Sequence, residues 1–231
     1  MLKILDAHNF RRTLVGMSPM AAVLGGVLWL GALLLPFLLP AEQGSGADYR
    51  ITNVPLYSLF VAMGTVAFLL FPIAVSGLRM RLSEEGRPMG RAGRIGSILV
   101  WAGGAVVSVQ LLIMIAGAIA GSVSQDLWLY FIGMILHTLG MIVFGISALR
   151  GSGRQSTRVL PLLIGVFALL AFSIEADPFH DIAFTLFGLG WVALGLNMRR
   201  NSARGSTARR HDGVGVAHDD GGKDAQGSVK A

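Results

Sequence analysis

Residues 127–149 read LWLYFIGMILHTLGMIVFGISAL. This stretch contains no Asp, Glu, Lys or Arg, and Leu, Ile, Met, Phe and Gly make up most of it. An α-helix rises about 1.5 Å per residue, so about 20 apolar residues cross a hydrocarbon core about 30 Å thick. The stretch therefore predicts a membrane-spanning helix.

Five further stretches of the chain are similarly apolar. Hydrophobic residues make up 53% of the sequence and charged residues 14%, whereas soluble domains carry about 25% charged residues. The sequence therefore predicts an all-α integral membrane protein, a six-transmembrane-helix bundle over 20–198 that follows an N-terminal segment, 1–19. The predicted spans are 20–39, 55–78, 95–120, 127–149, 159–174 and 178–198.

Capping residues support several of these boundaries. A side-chain acceptor followed by proline satisfies free backbone donors and presets the first helical dihedral angle. Ser18-Pro19 is predicted to open span 1, Asn53 precedes span 2, and Asp177-Pro178 is predicted to open span 6 with Asp177 as the helix cap.

The distribution of basic residues predicts the orientation. The N-terminal segment, the loops after spans 2 and 4, and the tail hold 18 of the 19 Lys and Arg residues, and Arg50 alone lies on the other side. Basic residues stay in the cytoplasm of bacterial cells. We therefore expect both termini to be cytoplasmic in a bacterial inner membrane. The net charge of +6 is then explained by anionic lipid headgroups, and no nucleic-acid partner is needed.

The tail, 199–231, is rich in Gly, Ser, Asp, Arg and His. Such a composition buries too little apolar surface to offset the entropy of ordering, so it predicts a disordered cytoplasmic tail. His211 and His218 lie near several aspartates, but a solvated tail explains them better than a metal site does. We predict no metal site and no cofactor.

Two polar residues lie deep inside predicted spans. His137 lies about ten residues into span 4, and Gln110 lies at a similar counted depth in span 3. Polar groups inside a membrane are costly and are candidates for function. His137 and Gln110 thus form a candidate intramembrane polar site. The simpler alternative is an interhelical hydrogen bond between them.

A second candidate site is the predicted outer turn between spans 5 and 6. Glu175, His180 and Asp181 could bind a divalent cation or titrate at mildly acidic pH. The structural alternative is that Asp177 caps the helix of span 6 and that the negative charge of Asp181 stabilises the first turn of this helix. We favour the structural alternative.

Common catalytic arrangements are missing from the sequence. The chain has no cysteine, which excludes thiol nucleophiles and iron–sulfur clusters. It also has no H-E-x-x-H motif, no Walker loop and no serine-protease motif within a span. The sequence predicts no catalytic residue, and an enzyme is not the favoured class.

Glycine and aromatic residues recur together in the second half of the chain. Gly133-x-x-x-His137, FGISALR at 144–150 and FGLGW at 187–191 carry this pattern. The stretch from Phe131 to Arg200 resembles uncharacterised multi-pass membrane proteins of actinobacteria. The resemblance covers about a third of the chain, and it implies a membrane-embedded helical protein.

Two functions remain open from the sequence. The first is a membrane protein that acts through helix or protein contacts, with the lipid bilayer and a membrane-protein partner or a second copy as its partners. The alternative is a small-molecule or ion permease or sensor, with a pocket between spans 3, 4 and 6 that includes His137. A water-lined cavity at His137 would favour the alternative.

Overall fold

The computed structural model describes residues 2–43, 50–84, 89–121, 127–150, 156–173 and 178–215. These residues form six α-helices and one two-stranded hairpin. The helices are α1 Leu2–Leu38, α2 Val54–Glu84, α3 Arg91–Ile119, α4 Trp128–Leu149, α5 Ser156–Ser173 and α6 Phe179–Gly215, and the strands are β1 Glu42–Gln43 and β2 Arg50–Ile51. The predicted all-α fold class is confirmed, apart from the short hairpin.

Five of the described helices contain segments long and apolar enough to cross a membrane. These segments are Asn9–Leu38, Val54–Glu84, Arg91–Ile119, Trp128–Leu149 and Phe179–Asn201. The apolar part of α5, Arg158–Ser173, is shorter; at about 1.5 Å per residue it spans about 24 Å. The chain is therefore a multi-pass membrane protein, and the sixth span stays a prediction.

The helices pack in a ring in chain order. α1 contacts α2, α2 contacts α3, α3 contacts α4 and α4 contacts α5. The ring continues because Gly190 of α6 lies against Ile164 of α5, and it closes because Gly195 of α6 lies against Pro19 of α1. Successive helices run in opposite directions. As a result, the start of α1 and Met198 of α6 lie at the same end of the bundle.

The backbones of α3 and α4 lie close together. A Cβ atom added to Gly96 would lie 2.6 Å from the backbone nitrogen of Phe144. One added to Gly133 would lie 2.8 Å from that of Val107. Glycine has no side chain, so the two backbones can approach closely at both positions. Close packing at small residues is how helices associate in lipid.

The start of α1 differs from the prediction. Ser18-Pro19 does not open a helix, because α1 begins at Leu2 and contains Pro19. Proline has no N–H to donate to the carbonyl four residues earlier, which is that of Val15. Ser18 Oγ and Arg81 Nη2 donate to this carbonyl instead, at 3.0 and 2.9 Å. The replacement donors let the helix continue through the proline.

Arg81 also connects a third helix. Its Nη1 donates to the carbonyl of Met198 in α6 at 2.9 Å. One side chain of α2 therefore binds the backbones of both α1 and α6. We call this end of the bundle the Arg81 end.

The opposite end carries the hairpin, and we call it the hairpin end. Glu42 pairs with Ile51 and Gln43 with Arg50 in an antiparallel register. The carbonyl of Ala41 accepts hydrogen bonds from the backbones of Thr52 and Asn53. These bonds join Ala41, just before β1, to the residues that lead into α2.

The predicted helix starts have different outcomes. Asn53 caps α2, because its Oδ1 accepts a hydrogen bond from the backbone N–H of Leu56 at 3.1 Å. This start is confirmed. The predicted cap of span 6, Asp177, lies outside the described residues.

The helix α6 continues beyond the predicted span. The sequence predicts that span 6 ends at Met198; the apolar segment of α6 ends at Asn201, and the backbone is helical through Gly215. The disordered tail stays a prediction. Arg is a good helix former, and residues 199–215 contain five arginines. Residues 216–231 lie outside the described part of the chain.

Candidate functional site

His137 lies at the centre of the ring and is fully buried. Aromatic rings from α2 and α6 surround its imidazole. Its centroid lies 5.4 Å from that of Phe68, 5.9 Å from Phe71, 6.1 Å from Trp191 and 6.2 Å from Phe187. Most of these rings meet edge to face or tilted, the arrangement that aromatic pairs prefer. His137 therefore has an apolar environment.

More aromatic contacts hold these rings in place. Phe71 and Trp191 stack at 4.3 Å with an interplanar angle of 9°. Trp29 of α1 contacts both Phe68 and Phe187 edge to face. Its indole N–H donates to the carbonyl of Phe184 at 3.1 Å. Together with His137, these residues form the aromatic core, which fills the middle of the ring.

The buried polar atoms near His137 have few hydrogen bonds. Neither ring nitrogen of His137 makes a hydrogen bond of acceptable geometry with any described residue, although the backbone of Val100 lies near the ring. The hydroxyls of Ser108 and Thr138 and the indole N–H of Trp191 also lack such a bond among the described residues. Packing, and not a polar network, holds this region together.

The predicted hydrogen bond between His137 and Gln110 is not formed. Gln110 is buried, with 3% of its surface exposed. The register of α3 against α4 separates the two side chains: Gly103 faces the backbone of His137, and Gln110 is seven residues further along α3, about 10 Å at 1.5 Å per residue. Counting residues from the predicted helix ends missed this offset.

The arrangement around His137 offers little chemistry. Among the described residues, no group of three or more His, Cys, Asp or Glu side chains is placed to hold a metal ion. The rings around the imidazole supply no acid, base or nucleophile. The described contacts of His137 are therefore ring-to-ring contacts within the aromatic core.

The predicted outer-turn site is only partly described. Glu175 and Asp177 lie outside the described residues. His180 Nδ1 lies 2.8 Å from the carbonyl of Ala171, and because a carbonyl only accepts, Nδ1 carries the proton. The ring also lies edge-on to Phe184 at 4.7 Å. These contacts join His180 to the end of α5, while Asp181 lies in the first turn of α6.

The structure contains a cavity at the hairpin end that the sequence did not predict. It has a volume of about 190 Å³ and lies among α1, α2, α3, α4 and the start of the hairpin. Its described lining residues are Trp29, Ala32, Pro36, Ala41, Glu42, Tyr57, Phe60, Val61, Gly64, Leu111 and Tyr130. Aromatic residues near span ends could have indicated it, but Trp and Tyr are common at any membrane interface.

No protein-family model, curated protein or solved structure matches this sequence. The resemblance to actinobacterial membrane proteins therefore stays a prediction.

Proposed function

We propose that this chain is a six-span protein of a bacterial inner membrane, with both termini in the cytoplasm, that acts through helix or protein contacts. Its closed interior is the observation that carries the proposal. A transport path needs polar groups or water through the middle of the bundle. Here aromatic rings from α1, α2 and α6 occupy the space around His137.

The alternation of helix direction supports the six-span count. α5 packs between α4 and α6, and it runs opposite to both. The Arg81 end holds the first half of α1 together with Met198 of α6. A chain that crosses six times returns to the side where it started. Most of the basic residues fall on this same side when the spans are counted from the sequence.

The alternative of a permease or sensor with a pocket between spans 3, 4 and 6 has less support. The cavity described above lies among α1, α2, α3 and α4. Two ring contacts, Trp29 to Phe68 and Phe68 to His137, separate its wall from the imidazole. Among the described residues, the lipid-facing helix faces and this cavity are accessible to other molecules.

Cysteine labelling tests whether the interior is closed. The natural chain has no cysteine, so one introduced thiol is the only reactive one. Ser108→Cys and Thr138→Cys are conservative changes at side chains that are 5% and 3% exposed. A charged methanethiosulfonate reagent, added to either side of native membranes that keep their membrane potential, should modify neither thiol. Both thiols should react after denaturation in detergent.

Gln43→Cys is the matched control, because Gln43 is exposed in the hairpin. It should react with the same reagent in intact membranes. Rapid labelling of Thr138→Cys in the native state would show water beside His137. That result would reject the closed interior and favour the permease.

A further inference from the structure

We propose that the cavity at the hairpin end binds a small uncharged hydrocarbon group, either a benzene-sized ring or a short stretch of alkyl chain. This site is distinct from the aromatic core, and it does not depend on how the chain contacts other proteins. The shape and volume of the cavity, the side chains that line it and one glycine that leaves space open support the proposal.

The cavity extends along the helices from the hairpin towards the middle of the bundle. Its lining residues on α2 run from Tyr57 to Gly64, and those on α1 run from Trp29 to Pro36. Each range covers seven helical steps, about 10 Å at 1.5 Å per residue. Because α1 and α2 run in opposite directions, Tyr57 and Pro36 lie near the hairpin, and Gly64 and Trp29 lie deeper. The cavity is therefore elongated along the helices.

The lining of the cavity favours an uncharged ligand. Glu42 is the one charged residue among the described lining residues. It is exposed in the hairpin and already interacts within the chain, so no contact with the ligand is assigned to it. The only polar atom of the Trp29 side chain donates to the carbonyl of Phe184. A charged ligand would lose its hydration here, whereas a hydrocarbon has no hydrogen bonds to lose.

Gly64 leaves space at the inner end of the cavity. A Cβ atom added to Gly64 would meet only one atom of the surrounding residues within 4 Å, Cδ1 of Leu111 at 3.5 Å, which is an ordinary van der Waals contact. At every other buried glycine that the structure describes, an added Cβ would lie 2.8 Å or less from another atom. Those glycines allow close packing. Gly64 and Leu111 instead both line the cavity.

The volume of the cavity limits the size of the ligand. An engineered cavity of about 150 Å³ with apolar walls stays dry and binds benzene. The volume here is about 190 Å³, so benzene should fit and a much larger hydrocarbon should not. Ring contacts of Trp29 with Phe68 and Phe187 fix one wall, so a ligand binds without the cost of ordering it.

Fluorine NMR tests the proposal on the full chain, labelled with 3-fluorotyrosine in diphytanoylphosphatidylcholine nanodiscs. The chain has three tyrosines, and Tyr57→Phe and Tyr130→Phe assign the signals of the two that line the cavity. Benzene should shift these two signals in a saturable manner, because the ring current of a bound benzene acts on nearby nuclei. The larger 1,3,5-triisopropylbenzene should give no saturable shift.

Gly64→Leu should fill the cavity, since the added side chain extends from the open position beside Leu111. It should weaken benzene binding at least about tenfold. Ala102→Leu is the matched control, because it adds the same side chain at an exposed position of α3 that does not line the cavity. This variant should bind benzene like the natural chain.

A thermal melt checks that each variant folds. If Gly64→Leu does not fold, Ala32→Leu takes its place, because Ala32 lines the cavity from α1. This variant should also weaken benzene binding.

Three results would overturn the proposal. The first is the absence of a saturable shift of either lining tyrosine up to the solubility limit of benzene. The second is unchanged benzene binding in the folded cavity-filling variant, which would place benzene outside the cavity. The third is saturable binding of 1,3,5-triisopropylbenzene, which would contradict the size limit.

A second lipid composition identifies the source of the hydrocarbon group. The chains of the diphytanoyl lipid carry methyl branches and are bulkier than linear chains. If the natural occupant is a lipid acyl chain, nanodiscs of a linear-chain phosphatidylcholine should compete with benzene and weaken its binding. If the occupant is a free apolar molecule, the benzene affinity should be the same in both lipids.

Discussion

At the scale of single residues, His137 shows how a polar residue in the membrane can serve packing. A buried polar group without a hydrogen bond is costly, and replacing it by an apolar group of similar volume is nearly neutral or stabilising. Its imidazole contacts rings on two other helices. We expect His137→Leu to change the free energy of unfolding by less than about 1 kcal/mol, in either direction.

His137→Ala is the comparison that isolates packing. It leaves a cavity inside the aromatic core and should destabilise the protein by about 2–4 kcal/mol. Thermal unfolding of the two variants in the same detergent gives the difference. If leucine is as damaging as alanine, the imidazole nitrogens have a role that packing does not explain.

At the scale of elements, Arg81 links three helices through backbone carbonyls. Hydrogen bonds from a charged donor contribute about 1.5–3 kcal/mol each, and this guanidinium donates to Val15 and Met198. Because Arg81 is half-buried, we expect Arg81→Ala to destabilise the bundle by about 1–3 kcal/mol. Arg79→Ala, two residues earlier on the same helix, should cost less than about 0.5 kcal/mol.

A double-mutant cycle tests the cause of this contact. Pro19→Ala restores the backbone N–H that can donate to the carbonyl of Val15. Arg81→Ala should therefore cost less in the Pro19→Ala background than in the natural chain. Equal costs in the two backgrounds would show that Arg81 does not compensate for the proline.

The elements also show how far the sequence could predict the fold. The apolar length of each span predicted the bounds of α4 to within one residue, of α3 to within four and of α2 to within six, because the thickness of the bilayer sets that length. The predicted start of α1 was wrong. A pair such as Ser18-Pro19 has the same sequence pattern at a helix start and inside a helix. Inside a helix, the carbonyl that the proline leaves without a donor must accept a hydrogen bond from another group. Such a donor, Arg81, is distant in the sequence.

The candidate sites depended on contacts that a sequence does not contain. His137 was identified as a deep polar residue, but its pairing with Gln110 was wrong because the register of α3 against α4 is set by which glycines face each other. The cavity at the hairpin end was missed. Its walls come from four helices, and the hairpin that carries Glu42 is too short to be recognised as strands.

At the scale of the whole molecule, we propose a closed ring of six spans with both termini on the same side. Whether the short α5 crosses the membrane decides the number of spans. If α5 crosses the membrane, Met198 of α6 lies on the same side as the start of α1. If α5 lies at the surface, these two positions lie on opposite sides.

A periplasmic phosphatase reporter tests this claim most directly. The enzyme is active only outside the inner membrane, so a fusion after Arg200 should be inactive and a fusion after Gly46, between β1 and β2, should be active. Matched expression of both fusions is checked with an antibody against the reporter. Phosphatase activity from the fusion after Arg200, at equal expression, would contradict the six-span ring.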